Sequence, residues 1–328
     1  MNELIENKIV LVTGGCGSIG SEIVRQVLAH NPTQVRIFDN CEQALFQSSQ
    51  TFKDERVRFL LGDVRDRDRL DRAVRGVDIL FHAAALKHVP LCESNPFEAV
   101  ETNIIGTQNI LEVTANNNIS LVVSISTDKA ANPVNTMGAT KLISEKLIAT
   151  YPFNQNRTKV CSVRFGNVLM SKGSVIPTFL SQIKSGGPVT VTDPEMTRFC
   201  MTISQAVALV IKCGMQATHG ETFILKMPSL NIQDLAEVMV EKYAGVFGHE
   251  SSSIKIQTIG IRPGEKIHEI LVTPEETMYV KEKDDMYVLS TVTCGEFNYS
   301  SVNSGNIKLM SKKEISDKLD EIIDVDSI

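Results

Sequence analysis

The sequence has no pair of cysteines at CxxC spacing, no internal repeat, no low-complexity tract and no long uninterrupted apolar run. Its seven cysteines (Cys16, Cys41, Cys92, Cys161, Cys200, Cys213 and Cys294) are scattered and odd in number. That pattern argues against a disulfide framework and a zinc site, and reads as reduced thiols in a cytoplasmic protein. No metal site is expected. A basic excess is also missing: 33 Lys and Arg against 39 Asp and Glu leave a net charge of −6. Neither nucleic acid nor an anionic membrane is an expected partner on that balance, although a local basic pocket for phosphates is compatible with it. The stretch Met1–Asn7 is polar and acidic, so no secretory signal is expected. The best candidate for a membrane span, Phe199–Met215, is broken by Ser204, Gln205 and Lys212 and suits an amphipathic helix.

What is present is an ordinary globular composition, 42% hydrophobic and 22% charged over 328 residues. That length suggests about two domains and a large core. Short apolar runs alternate with segments long enough for helices. The strand-like runs are Lys8–Thr13, Val35–Phe38, Val57–Asp63, Val77–Ala85, Leu121–Ser126, Val160–Phe165 and Glu221–Leu225. Helices are expected over Glu42–Phe52, Asp66–Arg75, Pro96–Asn116, Thr136–Thr150, Val175–Ser185, Ser204–Gln216, Ile232–Tyr243 and Ser311–Ile323. Strand–helix alternation implies an α/β fold, a Rossmann-type doubly wound parallel sheet covered on both faces. After about Val168 glycines and prolines punctuate the chain and the pattern loosens. The expected division is a dinucleotide-binding domain over 1–168, rejoined by 200–226, and a smaller C-terminal α/β substrate lobe from 169–199 and 227–328.

Between the first strand and the first helix lies Thr13-Gly-Gly-Cys-Gly-Ser-Ile-Gly20. It fits G-x-G-x-x-G through Gly15, Gly17 and Gly20, and G-x-x-G-x-x-G through Gly14, Gly17 and Gly20. Glycines let the backbone approach a pyrophosphate, while the helix start at Ser18 and Ile19 offers free N–H groups and a positive dipole end. Asp39 follows the second strand, 19 residues after Gly20. A carboxylate there accepts the adenosine ribose hydroxyls and repels a 2′-phosphate, which favours NAD; NADP stays open through Arg36 or Arg65. Asp63 and Val64 end the third strand, where an adenine would lie. Ala83 and Ala84 are small enough for a cofactor to cross the end of the fourth.

Ser126-Thr-Asp-Lys129 closes the fifth strand, and Met137-Gly-Ala-Thr-Lys141 opens a helix eight residues on. The carboxyl ends of parallel strands are where ligands gather. Positions 137 and 141 are one turn apart on one face, so Lys141 points to where a nicotinamide ribose would sit.

Thr13–Gly20, His82–Pro90, Ser126–Pro133 and Met137–Lys141 resemble the extended short-chain dehydrogenase/reductases. With Arg164–Val168, Asp193–Arg198 and Arg262–Lys266, the chain from about Lys8 to Pro274 resembles the UDP-N-acetylglucosamine 4,6-dehydratases of polysaccharide biosynthesis. The resemblance implies a cytoplasmic hydro-lyase acting on a UDP-sugar with NAD as an internal redox cofactor. The sugar would be oxidised at C4, would lose water across C5 and C6, and would take the hydride back at C6. Asp128 would be the acid at C6 and Lys129 the base at C5, with a pKa lowered by desolvation and by Lys141. Where the superfamily usually has Tyr, this chain has Met137, and a thioether exchanges no proton. The C4 base therefore passes to Thr127, Asp128 or Lys129 acting with a water. Arg198 and Arg262 would hold the diphosphate and Glu265 a uridine ribose hydroxyl. Asn167 and Lys87 would share that pocket, and His88 is read as a packed histidine rather than a polar gate. Self-association, as a dimer or higher homo-oligomer, is implied through Pro96–Asn116 and Thr136–Thr150. A nucleotide-sugar 4-epimerase, a C5-inverting dehydratase and a non-catalytic NAD-binding sensor are the alternatives.

Overall fold

The computed structural model describes residues 2–151, 158–290 and 300–324. Its centre is a nine-stranded sheet. Seven strands are parallel: β1 (Ile9–Thr13), β2 (Gln34–Asp39), β3 (Val57–Leu61), β4 (Ile79–His82), β5 (Leu121–Ile125), β6 (Lys159–Arg164) and β7 (Glu221–Leu225). Two more, β8 (Val280–Glu282) and β9 (Met286–Leu289), form an antiparallel hairpin on the edge of β7. The order across the sheet is β8-β9-β7-β6-β5-β4-β1-β2-β3. It reverses direction between β1 and β4, and ligands bind in the crevice at that switch point.

Successive strand residues feed opposite cores, as the two-residue period requires. Val10, Val12, Phe81 and Val123 pack under the helices Ser18–Leu28 and Ile203–Gln216. Leu11, Leu80, Val122 and Val160 pack under Arg67–Val74, Gly106–Asn116 and Thr136–Ala149. Burial on both faces is why the inner strands β1, β4 and β5 read as largely apolar runs. A separate core gathers Phe179, Val189, Leu235, Met239 and Leu319 from the strand Val189–Val191 and the helices Val175–Lys184, Ile232–Tyr243 and Lys312–Ile322. Residues 280–289 lie on the main sheet rather than in this smaller unit, although the sequence pattern groups them with it.

The expected helix Pro96–Asn116 has a change of winding inside it. Pro96–Ala99 is α-helical, Val100–Ile105 is a π segment, and Gly106–Asn116 is α again. The wide turn presents Asn103, which clamps the loop after β4. Its Oδ1 accepts from Leu86 N at 2.8 Å, and its Nδ2 donates to Leu86 O at 3.0 Å and to Thr140 Oγ1 at 2.9 Å. Such bulges commonly mark functional sites. The apolar window 199–215 is divided between the strand Thr197–Met201 and the helix Ile203–Gln216. Among the described residues no helix is long and apolar enough to cross a membrane. Cys16, Cys41, Cys92, Cys161, Cys200 and Cys213 are free thiols, and Cys294 lies outside the described residues.

At the end of β6 the fully buried Arg164 joins three parts of the chain. It donates to Glu145 of the helix 136–149 at 2.6 and 3.1 Å, to Glu276 at 2.8 and 2.9 Å, and to Leu271 O at 2.8 Å. Burial alone would lower its pKa, but the two carboxylates more than reverse that and raise it. Removing one member leaves buried charge without a partner, a loss of roughly 3–5 kcal/mol. Arg164→Leu is therefore expected to lower the urea midpoint far more than Arg25→Leu, which breaks only an exposed pair with Glu22.

Candidate functional site

A cleft of about 630 Å³ opens over the carboxyl ends of β1 to β5. Gly14 turns the chain out of β1 at φ +64°, and a Cβ there would lie 2.6 Å from Ala84 N. A Cβ on Gly20 would collide with Gly14 O. Gly17 precedes the helix Ser18–Leu28, whose start carries no side-chain cap and so offers its N–H groups to the cleft. Gly15 faces the other way, packed on Ile37 of β2, so the working frame is Gly14, Gly17 and Gly20. Ser18, Ile19, Val64, Ala83 and Ala84 line the same wall.

The end of the cleft beside β2 and β3 is acidic, lined by Asp39, Asp63 and Glu98. Asp39 accepts from Cys16 N at 3.0 Å and Cys41 N at 3.1 Å, which joins the glycine loop to the turn after β2. Burial alone would raise the pKa of Asp63, but the Arg65 bonds outweigh it and hold the carboxyl low. Arg65 is itself clamped between Asp63 at 2.8 Å and Glu98 at 2.7 Å. Arg36 donates to the carbonyls of Ala73 and Arg75. Neither guanidinium is left open for a 2′-phosphate, so this pocket suits a ribose with both hydroxyls free. These residues fit a dinucleotide.

Across the cleft, Thr127 starts a short 3₁₀ turn, Asp128–Ala130, and its Oγ1 donates to Asp128 Oδ1 at 3.0 Å. Met137 and Lys141 face the cleft one turn apart on the helix Thr136–Ala149, with Met137 packed on Cys92 and Ala99. Desolvation lowers the Lys141 ammonium to about 8, against a small upward pull from Glu145. His82 is buried between Thr13 at 2.8 Å and Thr107 at 3.2 Å. Burial, then Lys141, pushes it down to about 3, so it is a neutral structural histidine.

Behind the cleft floor lies a residue the sequence reasoning missed. Lys129 Nζ stands 3.0 Å from Asp128 Oδ1 and 3.0 Å from Oε1 of the buried Glu269. Lys129 therefore differs from expectation. Desolvation would lower its pKa, but Asp128 and Glu269 outweigh it and raise it, so Lys129 is an ammonium at rest. Asp128 moves upward, first by desolvation and then by repulsion from Glu269, against the pull of Lys129. Glu269 moves downward because Lys129 and Arg198 outweigh its burial. A carboxylate placed just before the apolar run Ile270–Val272 is the signal that could have found it.

The remaining candidates separate. Lys87 and Asn167 line the cleft. Lys87 Nζ donates to Lys172 O at 2.8 Å, Lys172 N donates to Ser18 Oγ at 3.1 Å, and Asn167 Oδ1 is buried without a partner. Arg198 is turned away: it donates to Thr197 O and Ile267 O, 3.8 Å from Glu269, because that buried carboxylate and those carbonyls attract it. Arg262 and Glu265 share a tight turn off the cleft wall, tied down by Asn135 Nδ2 donating to Gly264 O at 2.7 Å. His88 is an exposed cleft residue against Gly173 rather than a packed histidine. Among the described residues no His, Cys, Asp and Glu cluster could hold a metal.

Lys141 supplies a test. The folded protein releases its proton near pH 8, whereas the unfolded chain holds it to about 10.5. Raising the pH across that window favours the folded state. Urea unfolding should show stability rising over this range relative to Lys141→Met; parallel curves would mean that Lys141 is not desolvated.

The polysaccharide biosynthesis protein family model matches residues 10–291. An uncharacterized membrane protein of Methanocaldococcus jannaschii is 49% identical over 98% of both chains. Capsular polysaccharide biosynthesis protein CapD of Staphylococcus aureus is 44% identical over 83% of this chain and 46% of its own length. UDP-glucose 4-epimerase of Rickettsia akari is 40% identical over 82% of this chain and 79% of its own. Among solved structures, Pen from Bacillus thuringiensis superposes with a TM-score of 0.92 at 42% identity, covering 97% of this chain and 98% of that one. DesIV, a dTDP-glucose 4,6-dehydratase from Streptomyces venezuelae solved with NAD bound, gives a TM-score of 0.70 at 26% identity, covering 79% and 86%. With its glycine-loop cleft and these likenesses, the chain belongs to the polysaccharide biosynthesis protein family and has the extended short-chain dehydrogenase/reductase fold.

Proposed function

We propose that the chain is a UDP-N-acetylglucosamine 4,6-dehydratase of surface polysaccharide or glycan biosynthesis, acting in the cytoplasm. The observation that carries this reading is the buried Asp128 beside Lys129, because an elimination needs an acid for the departing C6 hydroxyl and a base for the C5 proton, where a C4 epimerisation moves a proton only at the C4 hydroxyl. Asp128 Oδ2 lies 3.1 Å from where a Cβ on Gly166 would sit, and Gly166 lines the cleft. A uridine nucleotide agrees with the Rickettsia relatives named UDP-glucose 4-epimerases, and dehydration with the name of DesIV.

The glycine loop, Asp39, Asp63 and Lys141 would hold NAD, which when bound would supply hydride chemistry at C4 and C6. The chain's own groups handle the protons. Asp128, kept protonated by burial, gives its proton to the departing C6 hydroxyl. As Asp128 gives up its proton, Lys129 passes one to Asp128, 3.0 Å away, and takes the one at C5. The proton released from the C4 hydroxyl balances the one that leaves with water. Met137 exchanges no proton and fills space beside the sugar. Thr127, Asp128 and Lys129 are the polar groups that can serve C4 through a water. Lys87 and Asn167 bind the sugar diphosphate, with Arg262 and Glu265 at the rim.

In D₂O, purified protein and UDP-N-acetylglucosamine should yield a product lighter by one water, with deuterium at C5. An unchanged mass with inverted C4 would mean an epimerase, and NAD bound without turnover a sensor. Asp128→Asn should lower dehydration about 10²–10⁴-fold while cofactor binding persists; near-normal turnover would remove Asp128 as the acid.

We also propose that a second copy covers Leu91, Phe97 and Ile143, which are 63%, 84% and 44% exposed on neighbouring helices. Phe97→Asp should reduce the mass measured by light scattering; an unchanged mass would place the contact elsewhere.

A further inference from the structure

Lys129 Nζ sits between two carboxylates at equal distances of 3.0 Å, one on Asp128 and one on Glu269. One ammonium neutralises only one carboxylate. Both acids are shielded from water, and Asp128 Oδ2 and Glu269 Oε2 are buried without hydrogen-bond partners. The second carboxyl must therefore be neutral or have another cation beside it. Of the other cations, Arg198 stands beside Glu269, and Lys266 feels both acids without pairing with either. Arg198 Nε is 3.8 Å from Glu269 on the strand 197–201, and Lys266 lies three residues before it with Nζ on Ala131 O. His268, next in the chain, is engaged with Thr197 Oγ1 at 2.8 Å. Asp128 has only Lys129 as an ion-pair partner among the described residues, and its remaining contact is the Thr127 hydroxyl.

We infer that Glu269 is a positioning residue for dehydration: it takes the Lys129 ammonium as its counter-ion and thereby leaves Asp128 protonated for the departing C6 hydroxyl. Ser304 Oγ, which accepts from Glu269 N at 2.9 Å and donates to Thr197 O at 3.1 Å, fixes the backbone that aims it. Without the Glu269 charge, Lys129 pairs with Asp128 alone and ionises it, so the acid is spent before the sugar arrives. Desolvation of Asp128 and its repulsion by Glu269 act in the same direction. The inference rests on the dehydratase reading for its consequence, but the proton on Asp128 can be read without substrate.

Infrared spectroscopy of the purified protein at neutral pH should show a protonated-carboxyl band that disappears in Asp128→Asn. Glu269→Gln should lose the same band at neutral pH and regain it on acidification. Its turnover should fall about 100-fold in kcat with KM little changed, and the pH above which dehydration declines should move down by at least one unit. Glu269→Asp, which keeps the charge, should restore most of the band and of kcat; it also serves if the glutamine variant fails to fold. A Glu269→Gln protein with the wild-type band and pH profile overturns the inference, as does a Glu269→Asp protein that behaves like the glutamine variant. If the wild type dehydrates no nucleotide sugar, the dehydratase reading fails, and the band comparison still decides whether Glu269 sets the proton on Asp128.

Discussion

The cleft end of this molecule depends on one fully buried guanidinium. Arg164 ends β6, and its bonds to Glu145, Leu271 O and Glu276 tie the sheet to the helix carrying Met137 and Lys141 and to the stretch that follows Glu269. Glu145 also accepts from Ser126 Oγ at 2.6 Å, which brings the end of β5 into the same network. A buried ion pair of this kind is poor evidence of net stability, since desolvation offsets much of the attraction. Its value is geometric. With both carboxylates bound to one planar fork, the directions in which the three segments meet are constrained.

That arrangement produces two environments within one cleft. On one wall the glycine loop and the acidic pair Asp39 and Asp63 present backbone N–H groups and carboxylates to the cleft. Behind the floor opposite, Asp128 and Glu269 are withdrawn from water and hold Lys129 at hydrogen-bond distance. Lys141 stands between them, desolvated and only partly protonated at neutral to mildly basic pH. Low local dielectric strengthens each of these interactions and makes the location of each proton depend on its neighbours. Protonation in this cluster is therefore set less by any single side chain than by how the lysine charge is shared between the two carboxylates.

Much of this was legible in the sequence. The inner strands β1, β4 and β5 stand out because burial on both faces makes each a largely apolar run. The glycine loop stands out because close backbone approach admits no Cβ. Thr127, Asp128, Lys129, Met137 and Lys141 were visible because they follow a strand end or share a helix face, which are local relations. What was misread depends on long-range contacts. Arg198 looks like a phosphate ligand by type, yet Glu269, 71 residues away in the chain, draws it off the cleft. His88 looks like a packing residue, yet the loop carrying Gly173 places it on the cleft surface. The break in the helix after Pro96 follows from Asn103 reaching Leu86 and Thr140, neither of which the local pattern points to.

The sequence by itself determined the alternating architecture, the site of the glycine loop and the two polar blocks at the ends of neighbouring elements, because periodicity and steric limits act over a few residues. Only the tertiary structure decided that Glu269 joins Asp128 and Lys129, that Lys129 is charged rather than neutral, and that Gly14 rather than Gly15 borders the cleft. Those outcomes rest on burial and on charges brought together from distant parts of the chain, and neither can be read from spacing.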